Sequence, residues 1–138
     1  MLMTIRQVTK RILIADDDPV IRHLVESVVK QQGYTPVTLS DGREAFSRLR
    51  TDADFKVAIL DMSMPYLQGI DLIRYMRTEK RLMRIPVLLV TAEQDIKLLA
   101  DSLSAGATAF LPKPFTPEHL RSTLRMLLAT KIPTIRAA

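Results

Sequence analysis

Apolar residues along the chain fall into five short runs that lack the three-to-four-residue spacing of an amphipathic helix. Each run is close to strand length and is bounded by polar residues, Gly or Pro, which favours buried strands of a parallel sheet. Pro36 in the second run predicts an edge position, because proline cannot donate to a central ladder. The predicted strands are residues 11–15, 34–39, 57–60, 86–90 and 107–111.

Between these runs, hydrophobic residues recur at helical spacing. Start signals precede several of these segments, most clearly Asp18-Pro19, where Asp is a favoured N-cap and Pro a favoured first residue. Strands that alternate with helices predict a doubly wound α/β fold with right-handed crossovers. The faces expected to point inward are Val20, Leu24, Val25 and Val28; Ala45, Phe46 and Leu49; Ile70, Ile73 and Met76; Ile96, Leu99, Ala100 and Leu103; and Leu120, Leu124, Leu127 and Leu128.

Composition narrows the class of protein. The 138 residues suit one domain, 47% are hydrophobic, and there is no cysteine, which excludes disulfides and thiol chemistry. No apolar run reaches the roughly 20 residues of a membrane span, so we expect a cytoplasmic protein. The net charge of +5 arises from the two ends of the chain, and we expect no direct nucleic-acid binding.

A basic cluster follows the third apolar strand run. We interpret it as a solvated surface, with a docking patch for a partner as the less favoured alternative. Its members are Arg74, Arg77, Lys80, Arg81 and Arg84.

Polar residues stand where four of the strands end: Asp16-Asp17, Asp61, Thr91 and Lys113. Parallel strands bring these residues to one edge of the sheet, where ligands collect in open α/β folds. Crowded carboxylates repel one another and raise each other's pKa, and Mg²⁺ relieves this repulsion through oxygen ligands. A lysine and a hydroxyl would meet a second anionic group. The set indicates phosphoryl transfer to an aspartate.

Four motifs together, ILIADDDP, VAILDMSMP, LLVTA and AFLPKPF, make residues 11–131 resemble the receiver domain of two-component response regulators. The resemblance implies a flavodoxin-like five-stranded sheet of order 2-1-3-4-5 with five helices. It also implies that the protein is a signalling switch rather than an enzyme. A histidine kinase or a histidine phosphotransfer protein would supply its phosphoryl group. Residues 1–10 and 132–138 would then be an N-terminal extension and a C-terminal tail.

The resemblance also assigns roles to single residues. Asp61 would be the phosphoacceptor, and Asp17 the main Mg²⁺ ligand, with Asp16 as the second acidic residue and Ser63 contributing its backbone carbonyl. Thr91 and Lys113 would bind phosphoryl oxygens. The Lys113–Pro114 peptide bond would be cis, and Phe110 would occupy the aromatic switch position.

Two positions depart from the common family pattern, and two more lie where the family varies. Gln68 replaces an Asp that many members carry, Phe110 lacks a hydroxyl, and Ser63 and Glu93 occupy positions that tune dephosphorylation. Phosphorylation is expected to draw Thr91 inward, to let Phe110 fill the space, and to change the surface of residues 93–128. We expect an unidentified downstream protein to read that surface.

Several functions remain open at this point. We favour a stand-alone receiver that is a monomer or a weak dimer. A receiver from a larger DNA-binding or enzymatic regulator is the first alternative. A Mg²⁺-dependent aspartyl-phosphate phosphatase would need a second Asp two residues after the nucleophile, where Ser63 stands. A flavin carrier would need a phosphate-binding first turn, whereas this turn is acidic.

Overall fold

The computed structural model describes residues 9–129, so most of the predicted extension and the whole predicted tail lie outside the described residues. Five strands alternate with five helices. In chain order the elements are β1 (Arg11–Ala15), α1 (Pro19–Gln31), β2 (Thr35–Leu39), α2 (Gly42–Thr51), β3 (Val57–Asp61), α3 (Gly69–Thr78), β4 (Val87–Thr91), α4 (Ile96–Ala105), β5 (Ala109–Pro112) and α5 (Pro117–Ala129).

The strands form one parallel sheet of order β2-β1-β3-β4-β5. This confirms the predicted flavodoxin-like order, and β2 with its Pro36 is indeed an edge strand. The central strand β3 is buried along its whole length. Asp61, its last residue, lies beside Val90 of β4. The topology therefore puts the predicted phosphoacceptor at the middle of the carboxyl edge.

Helices cover both faces of the sheet and create two apolar cores. The core under α1 and α5 contains Val25, Val28 and Leu124 together with Ile12 and Ile59 of the sheet. The second core lies under α2 and α3, with α4 packed against it through half-buried side chains. Among the described residues, no helix is long and apolar enough to cross a bilayer.

One predicted inward position of α1 is wrong. Val25 and Val28 are buried and Leu24 packs against the core, as predicted, but Val20 is 75% exposed and Val29 is buried instead. At about 100° per residue, Val20 lies more than a quarter-turn away from the buried stripe.

On the helix α4, most of the predicted inward face is wrong. Ile96 and Leu103 are 80% and 53% exposed, Ala100 is exposed and Leu99 is half-buried. The buried position is Ser102, whose hydroxyl donates to the carbonyl of Leu98 at 3.0 Å. Because this bond satisfies the hydroxyl, serine can face the core while larger apolar residues face outward.

The observed ends of helices and strands differ from the predicted ends by up to three residues. The helix α4 begins at Ile96 rather than near Glu93, because Asp95 is its N-cap and accepts from the amides of Lys97 and Leu98. The strand β5 begins at Ala109 rather than at residue 107. Asp18 caps α1, as predicted, by accepting from the amides of Val20 and Ile21.

Candidate functional site

The carboxyl edge of the sheet brings together the charged residues that were predicted to form a site. The Lys113 Nζ lies 3.3 Å from Oδ1 of Asp61 and 3.5 Å from Oδ2 of Asp16. One carboxylate oxygen from each of Asp16, Asp17 and Asp61 lies within 4.8 Å of the others. Three acidic groups and one lysine thus occupy a single corner of the molecule.

Local backbone contacts hold these side chains in place. The amide of Asp16 donates to the carbonyl of Leu39, and its Oδ1 accepts from the amide of Asp18. The first turn of α3 lies directly over the end of β3, and an added Cβ at Gly69 would stand only 2.6 Å from the carbonyl oxygen of Asp61. A side chain at position 69 would therefore push α3 away from Asp61.

Burial and neighbouring charge shift the titration of Asp61. Its side chain is only 5% exposed. Burial, and then the charge of Asp16, raise the pKa of Asp61 to about 6, while Lys113 and the amide of Ser63 oppose the rise. The acidic crowding predicted from the sequence is therefore real for Asp61, although desolvation is the larger cause.

The three carboxylates fit a hard divalent cation. All the offered ligand atoms are carboxylate oxygens, the type that Mg²⁺ prefers. Asp16 and Asp61 are buried and Asp17 is exposed, so a bound ion would meet both protein and water. Lys113 is the one cation among the described residues that forms an ion pair with these carboxylates, so three acidic groups share a single paired ammonium.

Above the carboxylates lies an open cavity of about 650 Å³. The Thr91 hydroxyl lines this cavity and accepts from the amide of Glu93 at 2.7 Å. Its proton is free to donate toward the cavity, since a hydroxyl is both donor and acceptor. Glu93 lies in the loop before α4 rather than in the first helical turn, and its carboxylate accepts from the amides of Gln94 and Asp95.

The remaining predicted residues are distributed around this site. Ser63 lines the cavity and donates its amide to Asp61 Oδ1 at 3.4 Å. The Lys113–Pro114 peptide bond is cis. Phe110 of β5 is half-buried and packs against the core beneath α2 and α3. Its role as a moving part stays a prediction.

Two arginines with clear roles were not identified from the sequence. The Arg22 guanidinium donates to the carbonyl of Asp16 at 2.7 Å and so ties α1 to the acidic loop. Arg77, predicted to be solvated, is half-buried and donates to the carbonyls of Gly106, Met83 and Ile85. Burial lowers its pKa. A position within a basic run gives no signal of such a clamp.

Comparison with known proteins agrees with this geometry. Residues 12–125 match the model of the response regulator receiver domain. The chain is 33% identical over 121 residues to a chemotaxis protein, CheY1, of Helicobacter pylori; the match covers 87% of this chain and 98% of that protein. It is also 35% identical to the response regulator MprA of Mycolicibacterium vanbaalenii, over 89% of this chain and 52% of the relative.

A solved structure shares the same architecture. The chemotaxis response regulator CheY4 of Vibrio cholerae superposes with a TM-score of 0.80 at 32% identity, over 87% of this chain and 99% of that one. The family match spans most of the chain and includes all four strand ends that build the acidic corner. The chain therefore belongs to the response regulator receiver domain family of two-component signalling.

Proposed function

We propose that this receiver domain is a phosphorylation-activated switch that accepts a phosphoryl group on Asp61 in a Mg²⁺-dependent reaction. The observation that carries the proposal is the contact of one lysine with two buried carboxylates, Asp61 and Asp16, beside an open cavity that Asp61 and Lys113 line. The donor would be a histidine kinase or a histidine phosphotransfer protein in the cytoplasm. Both classes of donor carry the phosphoryl group on a histidine imidazole.

The reaction is a displacement at phosphorus. A carboxylate oxygen of Asp61 attacks the phosphorus atom and forms a P–O bond while the P–N bond breaks. The electron pair of that bond returns to the imidazole nitrogen, which takes up a proton. Lys113 and the hydroxyl of Thr91 would stabilise the charge on the transferred group. Asp16, Asp17 and Asp61, with the carbonyl of Ser63, would hold Mg²⁺, which neutralises phosphoryl charge.

Intact mass spectrometry tests this proposal directly. Wild-type protein incubated with Mg²⁺ and acetyl phosphate should gain the mass of one phosphoryl group, and Asp61→Asn should gain none. Asp101→Asn, which removes an exposed carboxylate of α4, is the matched control and should behave as wild type. Wild-type protein that binds Mg²⁺ but stays unmodified would overturn the mechanism.

The output surface is proposed to be residues 93–128. Thr91 is bonded to the amide of Glu93, so any shift of the hydroxyl toward a phosphoryl group would release the loop that precedes α4. That helix already exposes Ile96, Ala100 and Leu103, which suit contact with a protein. Hydrogen exchange of the phosphorylated protein should change within 93–128. Exchange that is unaltered there would exclude this surface.

A single-domain receiver is the form we favour. The resemblance to CheY1 over nearly that protein's whole length supports it. The match to half of MprA supports the alternative, in which the receiver controls a further domain. The length of the native reading frame distinguishes the two, and a frame that continues into a second domain would decide for the alternative.

A further inference from the structure

The helix α2 presents two arginines that lie near aromatic rings. The Arg43 guanidinium carbon lies 3.8 Å from the ring centroid of Tyr66, and that of Arg50 lies 5.8 Å from Phe46. Phe46 in turn meets Tyr75 edge to face, with centroids 4.8 Å apart. We call these five residues the arginine–aromatic patch. None of them belongs to the phosphorylation site or to the 93–128 surface.

The rings leave the polar groups of these arginines available. A guanidinium carries five N–H donors in its plane, and contact with an aromatic ring uses none of them as a hydrogen-bond donor to a carboxylate or carbonyl. Within residues 9–129, neither Arg43 nor Arg50 forms an ion pair, and both side chains are exposed. The arginines are thus partly ordered before any ligand arrives, which lowers the entropic cost of binding a planar oxyanion.

Charge is concentrated on this side of the molecule. Residues 42–51 and 69–84 contain eight basic and three acidic side chains, whereas the rest of the chain contains twelve of each. Two of the three acids are engaged by backbone amides: Glu44 accepts from Ser40 and Asp71 accepts from Gln68. Of the eight basic residues, Arg77 is held by carbonyls, and Arg48, Arg74 and Arg81 pair with Asp52, Asp71 and Glu79. Among the described residues, Arg43, Arg50, Lys80 and Arg84 are exposed and form no ion pair, so they supply the positive charge that favours a negatively charged partner.

The predominance of arginine over lysine favours a protein partner over other kinds of anion. Seven of the thirteen arginines lie in these two segments, but only one of the seven lysines does. Protein interfaces are enriched in arginine, aromatic residues and methionine and are depleted in lysine. Met83, at 51% exposure, lies just beyond α3. A single-stranded nucleic acid would need open ring faces for stacking, whereas Phe46 and Tyr75 are half-buried against each other.

We infer that the arginine–aromatic patch binds an acidic protein segment. Carboxylates of that segment pair with Arg43 and Arg50, and its apolar atoms cover the ring edges between α2 and α3. The patch is built from side chains that do not contact Asp61, so binding is independent of phosphorylation. The inference does not depend on the proposed function, and Asp61→Asn should bind the segment as wild type does.

An NMR titration of the full chain tests the inference. The probe is a blocked hexaglutamate peptide, with blocked hexaglutamine as the uncharged control and a thymidine hexanucleotide as the other class of polyanion. We expect saturable shifts from hexaglutamate in the amides of α2, α3 and the loop around Tyr66, and none from hexaglutamine. Tighter binding of the nucleotide to the same amides would overturn the choice of a protein partner.

Matched variants distinguish binding at the arginine–aromatic patch from attraction by the net charge of the protein. Arg43→Gln/Arg50→Gln should weaken hexaglutamate binding by about tenfold or more, because two charge-assisted contacts are lost. Arg121→Gln/Arg125→Gln removes the same charge from α5 and should leave binding unchanged. Arg43→Lys/Arg50→Lys keeps the charge and should recover only part of the affinity. Equal losses in both Gln double variants, in protein that remains folded, would show that net charge alone is responsible and would overturn the inference.

Discussion

A charged side chain lies at each end of the parallel strands, buried Asp61 at the carboxyl edge and half-buried Arg77 at the amino edge. The two side chains differ in how well their charge is compensated. At the carboxyl edge, Asp61 faces an open cavity and is surrounded by more negative than positive charge. At the amino edge, the Arg77 guanidinium is enclosed by carbonyl oxygens of the segments that lead into β4 and β5. Asp61 has too few partners for its charge, while carbonyls accept from four of the five N–H groups of Arg77.

This difference distinguishes a site from a structural clamp. Burial shifts both pKa values toward the neutral form, upward for Asp61 and downward for Arg77. Only the carboxyl edge adds a second destabilising charge, Asp16, next to the first. Charge that remains uncompensated beside a cavity can be relieved by a cation or a phosphoryl group. Arg77 needs no ligand, because carbonyls already accept its hydrogen bonds.

The largest effect expected at the carboxyl edge comes from Lys113→Met. Loss of the one ammonium near Asp61 should slow phosphorylation by acetyl phosphate by about a hundred- to a thousandfold, the usual magnitude for a preorganised electrostatic contact. Time-resolved intact mass spectrometry measures the rate, and Lys97→Met, an exposed lysine of α4, is the control. A Lys113→Met rate close to that of wild type would contradict the assigned role.

A substitution at the amino edge should change the free energy of unfolding rather than the rate of phosphorylation. Arg77→Met keeps much of the apolar stem but leaves the carbonyls of Gly106, Met83 and Ile85 without their donor. We expect a loss of about 2–4 kcal/mol in the free energy of unfolding, measured by urea denaturation. Arg74→Met, on the exposed face of the same helix, should change it little. Slower phosphorylation with unchanged stability would reverse the proposed division between the edges.

The sequence predicted the carboxyl edge well because backbone topology alone determines it. Once the strands are parallel, the residues that follow them must meet, and Asp16, Asp61, Thr91 and Lys113 do. The amino edge was missed because the partners of Arg77 are carbonyls, which no residue type reveals. The face of α4 was missed for a related reason: a hydroxyl that bonds its own helix makes Ser102 suitable for burial.

The substitution Asp61→Asn should change how the free energy of unfolding depends on pH. The folded-state pKa of about 6 lies above the ordinary value of 3.8, so ionising Asp61 destabilises the native protein. In Mg²⁺-free buffer, wild-type stability relative to Asp61→Asn should fall as the pH rises from about 4 through about 6. By pH 7 the variant should be more stable by about 1–3 kcal/mol. Urea denaturation at several pH values measures this difference, and a variant that is less stable at pH 7 would contradict it.

The smallest effect is expected on α4, which runs from the loop that lines the Asp61 cavity to the Arg77 clamp at Gly106. Because Leu103 is 53% exposed, Leu103→Ser should change the free energy of unfolding by no more than about 0.5 kcal/mol. Ser102→Leu, one residue away, should destabilise by about 1–3 kcal/mol through overpacking of a buried position. Thermal denaturation of the two variants distinguishes the faces. If Leu103→Ser destabilised the protein more than Ser102→Leu, Leu103 rather than Ser102 would face the core. The Arg77 clamp would then hold α4 with a different face toward the proposed downstream protein.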